Sequence, residues 1–305
     1  MNRASAQRHR IYRAVNFAQS GLAQQMNLEQ MAGAACLSKF HFVKAFQHYC
    51  GETPVQFLWR IRLDRAARSL VFNPENTITK IALDCGFSSS QTFSRAFSRR
   101  FGVAPRRLRS DRNFGFSRLP QNLLKRSQNS RLSVSRGKYL WGADDVRIED
   151  RPQYRIAYVR HIGPYWDADG GISAAYHLLE RWAQKRGLWS TASYVVGICP
   201  NNSDVTPAAH CIYDAGLVVG DEVCEDDTVS IQTIPAGKFA ILQAPTAELY
   251  AAWNWLGMTW LPASGRTYAL DDCYEMIPIV QGQRDRDYVG TEICMRLGPA
   301  GGLKY

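Results

Sequence analysis

Two groups of residues in this chain have the types and the spacing to do chemistry. In SQTFSRAFSRRF, Phe93, Ala96, Phe97 and Phe101 recur at helical spacing and share one apolar face, which turns Ser90, Gln91, Thr92, Arg95 and Arg99 outward. A guanidinium at Arg95 bonds O6 and N7 of guanine together, and an amide at Gln91 does the equivalent with adenine. The segment KFHFVKAFQHYC has the same layout, with Phe42, Ala45, Phe46 and Tyr49 inside and Lys39, Phe40, Val43, Lys44 and Gln47 outside. Lys44 and Arg99 serve equally as phosphate contacts, and a solvated helix face has this look as well. The second group surrounds Glu275, which lies in the strand-like run CYEMIPIV among apolar neighbours, in a stretch rich in Trp and Tyr. A carboxylate set among aromatic faces suits an amphipathic cation, through ion pairing and cation–π attraction. By pattern alone the plainer reading is favoured: core aromatics, with Glu275 on the solvent side of a half-exposed strand.

The elements that must position the first group are written twice. Leu28, Met31, Ala32, Leu37 and Ser38 return fifty residues later as Ile78, Ile81, Ala82, Phe87 and Ser88. After a one-residue slip, Phe42, Ala45, Phe46, Gly51 and Pro54 return as Phe93, Ala96, Phe97, Gly102 and Pro105. Each copy predicts a short apolar helix, a turn, a serine cap (Ser38, Ser88) and a second helix ended by glycine then proline, the layout of a helix-turn-helix. Between the copies, PVQFLWRIRLDRAARSLVF predicts a helix from Pro54 to about Asn73, roughly 27 Å long at 1.5 Å per residue. Such a strut suits two recognition helices in successive major grooves about 34 Å apart. Arg60, Arg62, Arg65 and Arg68 on it are expected to add charge toward the DNA backbone. Ile11, Val15, Ala18 and Leu22 form the stripe of a leading helix that closes the first unit. The arginines of that segment, with no acid beside them, also fit a transit peptide; the stripe favours the helix.

Charge divides the chain at the same place. Residues 1–143 hold 24 Lys+Arg against 6 Asp+Glu, and residues 144–305 hold 13 against 21, within a total of +10. The basic half suits a polyanion; the acidic half is repelled by DNA and favours a cation or a protein. Eight cysteines fall without any C-x-x-C or Cys/His cluster, so neither zinc nor another metal or cofactor is expected, and a reducing cytoplasm is the economical setting. No apolar run approaches the ~18 residues of a membrane span.

The acidic half carries a second duplication. VRIEDRPQYRIA returns after 83 residues as VSIQTIPAGKFA, each predicting strand, turn, strand with the two strands paired antiparallel. Helices over 172–186 and 246–257 and strands near 194–199, 211–219, 268–277 and 288–297 complete an α+β domain of two similar halves with a groove between them. Residues 110–140 lose periodicity and gather Ser, Asn, Arg and Gly, as a tether does.

At this point the residues resemble known families. The segment 8–109 is similar to the DNA-binding domain of AraC/XylS-type transcription regulators, and IALDCGFSSSQTFSRAFSRRFGVAPRRLR carries the family signature. The resemblance implies base contacts from Phe40, Val43 and Lys44 in the first recognition helix and from Ser90, Gln91, Thr92 and Arg95 in the second. Val43 departs from a pattern that often has a long polar side chain there, which implies weaker, apolar reading such as contact with a thymine methyl. RIAYVRHIGPY, IPAGKFAIL and WLPASGRTYALDDCYEMI resemble a GyrI-like effector-binding domain over 144–297, and the whole resembles Rob-like regulators. That resemblance implies a small, hydrophobic, cationic aromatic effector held by a central acid at Glu275, with Tyr165, Trp166, Trp255 and Tyr274 as its aromatic partners. Ile277 departs from the aromatic residue often found there, which bears on the ligand's shape.

The expected fold is therefore multidomain: an all-α double helix-turn-helix domain (1–109), a basic linker (110–143), an α+β pseudo-twofold GyrI-like domain (144–297) and a tail (298–305). The expected function is transcription regulation in the cytoplasm by an activator that is not an enzyme, with double-stranded DNA, a small-molecule effector and RNA polymerase as partners and no membrane. Two alternatives stand beside it for the acidic half: a protein-docking module, or a hydrolase using Glu275 as general base.

Overall fold

The computed structural model describes residues 1–22, 26–110, 141–165, 170–190, 194–269, 273–280, 283–284 and 290–298. The tether expected over 110–140 lies outside these residues from 111 onward, as does most of the tail. By internal packing the chain forms two compact units: residues 1–125 with 162–165 and 201–211, and the remainder.

The first unit is helical. Its elements are α1 (Arg3–Ser20), α2 (Leu28–Ala34), α3 (Lys39–Cys50), α4 (Pro54–Phe72), α5 (Ile78–Asp84), α6 (Ser90–Phe101) and α7 (Pro105–Ser110). The expected stripe of α1 is buried, with Ile11, Val15 and Ala18 at 0% exposure. Start signals are explicit: Asn27 and Gln30 cap each other at the head of α2, and Thr53 and Gln56 do so at the head of α4, where Pro54 gives up a donor the first turn does not need. Both recognition helices, α3 and α6, end at a left-handed glycine, Gly51 and Gly102.

The slip in the repeat has a structural location. The first helix of each pair is displaced by fifty residues and the second by fifty-one, so the extra residue sits in the turn between α5 and α6. In consequence the cap of α6 is Ser89, whose hydroxyl accepts the Thr92 N–H at 3.2 Å, and not the expected Ser88. The turn in each copy needs a positive φ: Gly86 supplies it in the second (76°), while Cys36 adopts it in the first (51°). Phe42, Phe46 and Phe57 stack edge to face in the first core, and Phe87, Phe93, Phe97 and Phe101 follow one another in the second. Tyr49, expected inside, is half-buried with its hydroxyl donating to Ala4 O, and Cys50 takes the buried position.

Arg60 corrects a second expectation. It is 4% exposed and donates to Glu52 at 2.6 and 3.0 Å and to Asp64 at 3.4 Å, and Asp64 also takes Arg100 at 2.7 Å. Burial pulls against its charge, but Glu52 and Asp64 more than offset that and hold the guanidinium above its ordinary range. Arg62, Arg65 and Arg68 are half-buried, with Arg62 donating to Met26 O at 3.2 Å. Arg60 and Arg62 thus tie the strut into its own unit and do not face the phosphates freely. The reason is positional: most of α4 is buried between the two helix-turn-helix units, so little solvent face is left.

The second unit is α+β. Its elements are β1 (Val146–Arg151), β2 (Tyr154–Ile162), α8 (Gly171–Gln184), β3 (Tyr194–Ile198), β4 (Ile212–Val218), β5 (Ser230–Ile234), β6 (Gly237–Ala244), α9 (Leu249–Trp255), β7 (Tyr274–Val280), β8 (Gln283–Arg284) and β9 (Thr291–Arg296). The strand order is β1-β6-β9-β7-β3-β4-β2-β5, with β8 on β7. The duplication is real in structure, but its pairing is not the expected one. Neither copy folds back on itself: β1 pairs β6 from Val146↔Leu242 to Arg151↔Gly237, and β2 pairs β5 from Tyr154↔Ile234 to Tyr158↔Ser230. A two-residue hairpin needs positive φ in its turn. Pro152-Gln153 and Pro235-Ala236 show none, so each copy runs on as an extended strand with a proline break and pairs with the other copy. The strand expected near 268–277 also begins later: Tyr268 makes only an isolated bridge to Leu297, and β7 starts at Tyr274. Helix α9 continues through a wide turn, Leu256–Trp260, to Ala263, past the expected end near 257.

Candidate functional site

In the first unit the exposed faces of α3 and α6 hold the residues expected to meet DNA. On α6 the helical period buries Phe93, Ala96, Phe97 and Phe101, leaving Gln91, Thr92, Arg95 and Arg99 exposed and Ser90 half-exposed. Among the described residues the side chains of Gln91, Arg95 and Arg99 have no hydrogen-bond or ion-pair partner. Thr92 is different, since its hydroxyl lies 3.0 Å from the Ser89 hydroxyl and belongs to the cap. On α3, Lys39 is ion-paired with Glu29, whose carboxylate it holds below the ordinary range. Lys44 Nζ lies 4.4 Å from the Phe40 ring centroid. Phe40 is 65% exposed, while Val43 is half-buried. The two faces are thus unlike: one offers unpartnered polar groups, the other a bare ring.

In the second unit Glu275 is 7% exposed and sits in β7 opposite Gly197 of β3. Its Oε2 accepts from the Tyr213 hydroxyl and its Oε1 from Trp253 Nε1, each at 3.1 Å. Tyr213 is itself 3.0 Å from the Tyr176 hydroxyl, and with its own proton on Glu275 it takes that of Tyr176. Burial, with Tyr176 and Glu275 adding to it, pushes the Tyr213 phenol well up, so Tyr213 is a neutral donor. Both donors are neutral, and they fix the orientation of the carboxyl group, which with the aromatic rings beside it is suited to a cationic ligand.

Gly197 makes this geometry possible. A Cβ there would stand 2.0 Å from the Tyr213 hydroxyl and 3.0 Å from Glu275 Oε2. Gly197→Ala is therefore expected to push Tyr213 off Glu275 and destabilise the chain by about 1–3 kcal/mol; thermal unfolding followed by circular dichroism measures this, and an unchanged midpoint contradicts it.

Successive strand residues face opposite ways, so Tyr274 turns from Glu275 and packs 5.2 Å from Phe239 and 6.4 Å from Tyr154, ring to ring. Trp255 is buried 6.1 Å from Trp141. Tyr165 falls in the first unit, its hydroxyl donating to Asn201 O at 3.2 Å, and Trp166 lies outside the described residues. Tyr213 and Trp253 hydrogen-bond the Glu275 carboxylate, Tyr176 meets Tyr213, and Gly197 faces Glu275 across the ladder. The strand alternation in IYDAGLV and the lone glycine in YVVGI were the available signals, but only pairing of β3 with both β4 and β7 brings them to Glu275.

Comparison with known proteins follows the same division. Residues 144–297, about half of the chain, match the GyrI-like small molecule binding domain, and residues 31–111 match a helix-turn-helix domain. Over 114 residues the chain is 31% identical to the HTH-type transcriptional regulator ArgR of Pseudomonas aeruginosa, covering 37% of this chain and 34% of that protein. It is 32% identical over 104 residues to the HTH-type transcriptional activator RhaS of Escherichia fergusonii, covering 34% of this chain and 37% of that one. Against these curated relatives the chain thus spans little more than a third of their length. The crystal structure of the AdpA DNA-binding domain with a target DNA is 27% identical and has a TM-score of 0.33, covering 35% of this chain and 95% of that one. In the described residues no helix is long and apolar enough to cross a membrane.

Proposed function

The chain belongs to the GyrI-like small-molecule binding family and carries a helix-turn-helix domain of AraC type, and from that premise we propose that it is a sequence-specific transcription regulator governed by a small hydrophobic cation. Residues 1–109 read duplex DNA, residues 144–297 bind the effector, and the basic segment 110–143 joins them. The observation that carries the DNA reading is Arg95, exposed and unpartnered on the outer face of the second of two duplicated recognition helices. Lys39, Phe40, Val43 and Lys44 present the matching face of the first, and Arg99 follows the second toward the phosphates. Glu275, with its two neutral donors, is the centre of effector binding.

RhaS is described as an activator, and we carry that sign over: the bound regulator recruits RNA polymerase, in the cytoplasm where the DNA is. The effector leaves chemically unchanged, so the protein is a sensor and not a hydrolase. Mass spectrometry of an aromatic cation after long incubation returns it intact on this reading.

Selection from random duplexes with the full-length chain tests the DNA reading. A shared motif is expected, and Arg95→Ala is expected to lose about 1–3 kcal/mol at it while relaxing the preference at one guanine. Equal losses on selected and random DNA would make Arg95 a phosphate contact, and absence of any enriched motif would end the regulator reading.

A further inference from the structure

The stretch NNSDVTPAAHC, Asn201–Cys211, has the composition of an exposed loop, yet Val205 and Thr206 are each 1% exposed. Its sequence lies inside the match at 144–297, but it packs with the helical unit. The segment is braced from within, the Val205 and Thr206 N–H groups donating to Asn202 O at 3.0 and 2.9 Å. Its contacts then reach the helices. The Thr206 hydroxyl donates to Asp64 Oδ2 at 2.8 Å, and Val205 O accepts from Arg100 Nη2 at 3.3 Å. Asp64 Oδ1 holds the same guanidinium at 2.7 Å, and His210 Nδ1 stands 3.8 Å from Glu52 Oε1. Asp64 is thereby shared by three pieces of chain: the strut α4, the recognition helix α6 through Arg100, and this segment.

The ends of the segment lead to the acid. The chain enters it from β3, which carries Gly197, and leaves it into β4, which carries Tyr213. Tyr213 donates to Glu275, and its hydroxyl fills the space a Cβ at Gly197 would need. A ligand that takes the Glu275 carboxylate competes with that donor, and any shift of Tyr213 bears on β3 as well as β4.

We propose that segment 201–211 is the coupling element of the regulator: docked on Asp64 and Arg100, it ties occupation of the effector site at Glu275 to the seating of α6. The inference rests on the effector reading above and gives that site a route to the DNA besides the segment 110–143. Coupling between two sites is reciprocal, so it is read as the factor by which one ligand changes the affinity of the other. A segment that merely fills out the helical unit alters DNA affinity by the same factor whether or not the effector is bound.

The full-length chain is titrated with its selected duplex, with and without saturating tetraphenylphosphonium, a hydrophobic aromatic cation not flat enough to intercalate. The wild type is expected to change its affinity for the duplex about fivefold or more on binding the cation. Thr206→Val removes the hydroxyl and keeps the bulk, and Asp64 retains Arg60 and Arg100. This variant is expected to bind the cation as the wild type does and to lose about half or more of the fold-change. Thr206→Ser, which keeps the donor, is expected to preserve it. An unchanged ratio in Thr206→Val overturns the inference, as does a wild type whose DNA affinity ignores the bound cation. Hydrogen exchange of the wild type alone gives a second reading: the cation is expected to alter exchange at the Val205 and Thr206 amides and in α6, and no change there overturns the coupling. Failure of tetraphenylphosphonium and the other aromatic cations to bind removes the effector reading, and failure to select any duplex removes the regulator reading; either takes this inference with it.

Discussion

Glu275→Gln is expected to weaken saturable binding of aromatic cations strongly while leaving the protein folded. Titration of the full-length chain with a panel of such cations, followed by tryptophan fluorescence, reads this directly, since Trp253 touches the carboxylate. The amide keeps the shape of the acid and an oxygen for one of its two donors, so the change is chiefly one of charge. Removing one member of a desolvated, hydrogen-bonded charge pair weakens binding by about 2–5 kcal/mol, which is roughly 30-fold or more. Tyr213 and Trp253 help produce that effect: they spare the wild-type carboxylate part of its desolvation and aim it, so the cation meets an oriented charge. A mutant that binds as tightly as wild type would show that ring contacts alone hold the ligand. No response from either protein would remove the effector reading and leave a protein-docking module.

The second large effect is on stability. Arg60→Ala leaves Glu52, 8% exposed, without its guanidinium, while Asp64 keeps Arg100. Breaking a buried pair from one side costs about 3–5 kcal/mol because the stranded charge is not rehydrated. A loss of that size is comparable to the whole stability of a small helical domain. Denaturant unfolding followed by helical circular dichroism is expected to shift the first transition strongly, whereas Arg99→Ala, on the exposed face of α6, is expected to move it by less than about 0.5 kcal/mol. A loss below 1 kcal/mol for Arg60→Ala would mean that water reaches the network.

What could be read without the structure follows from how local each interaction is. The two recognition helices were legible because a helix closes its hydrogen bonds within four residues, so its buried face is written at a fixed period in the chain itself. Phe42 with Phe46 and Phe93 with Phe97 mark that face, Gly51 and Gly102 its end, and Arg95 and Gln91 follow as the side chains left outside. Even the slip in the repeat was visible, though not that it moves the cap from Ser88 to Ser89. Arg60 was misjudged because outward charge and buried, paired charge look alike until the neighbours of α4 are known. Phe40 was visible as outward-facing, but the degree of its exposure, and the engagement of both flanking lysines, were not.

The acidic half divides differently. Its duplication, its α+β character and the importance of Glu275 lay in the sequence, because alternation within a strand is local. Strand partners are not: a ladder joins residues far apart, and nothing in VRIEDRPQYRIA says whether it pairs with itself or with its copy. Tertiary structure chose the copy, since the proline breaks cannot turn. The same choice set which side chains meet Glu275, bringing Tyr213 from β4 and Trp253 from α9 while the pleat turned the adjacent Tyr274 away. The chain alone determined that it has a DNA-reading half and an acid in an aromatic half; only the packed sheet decided which groups hold that acid, because contact across strands depends on register and on the absence of a Cβ at Gly197, and neither is encoded next to Glu275.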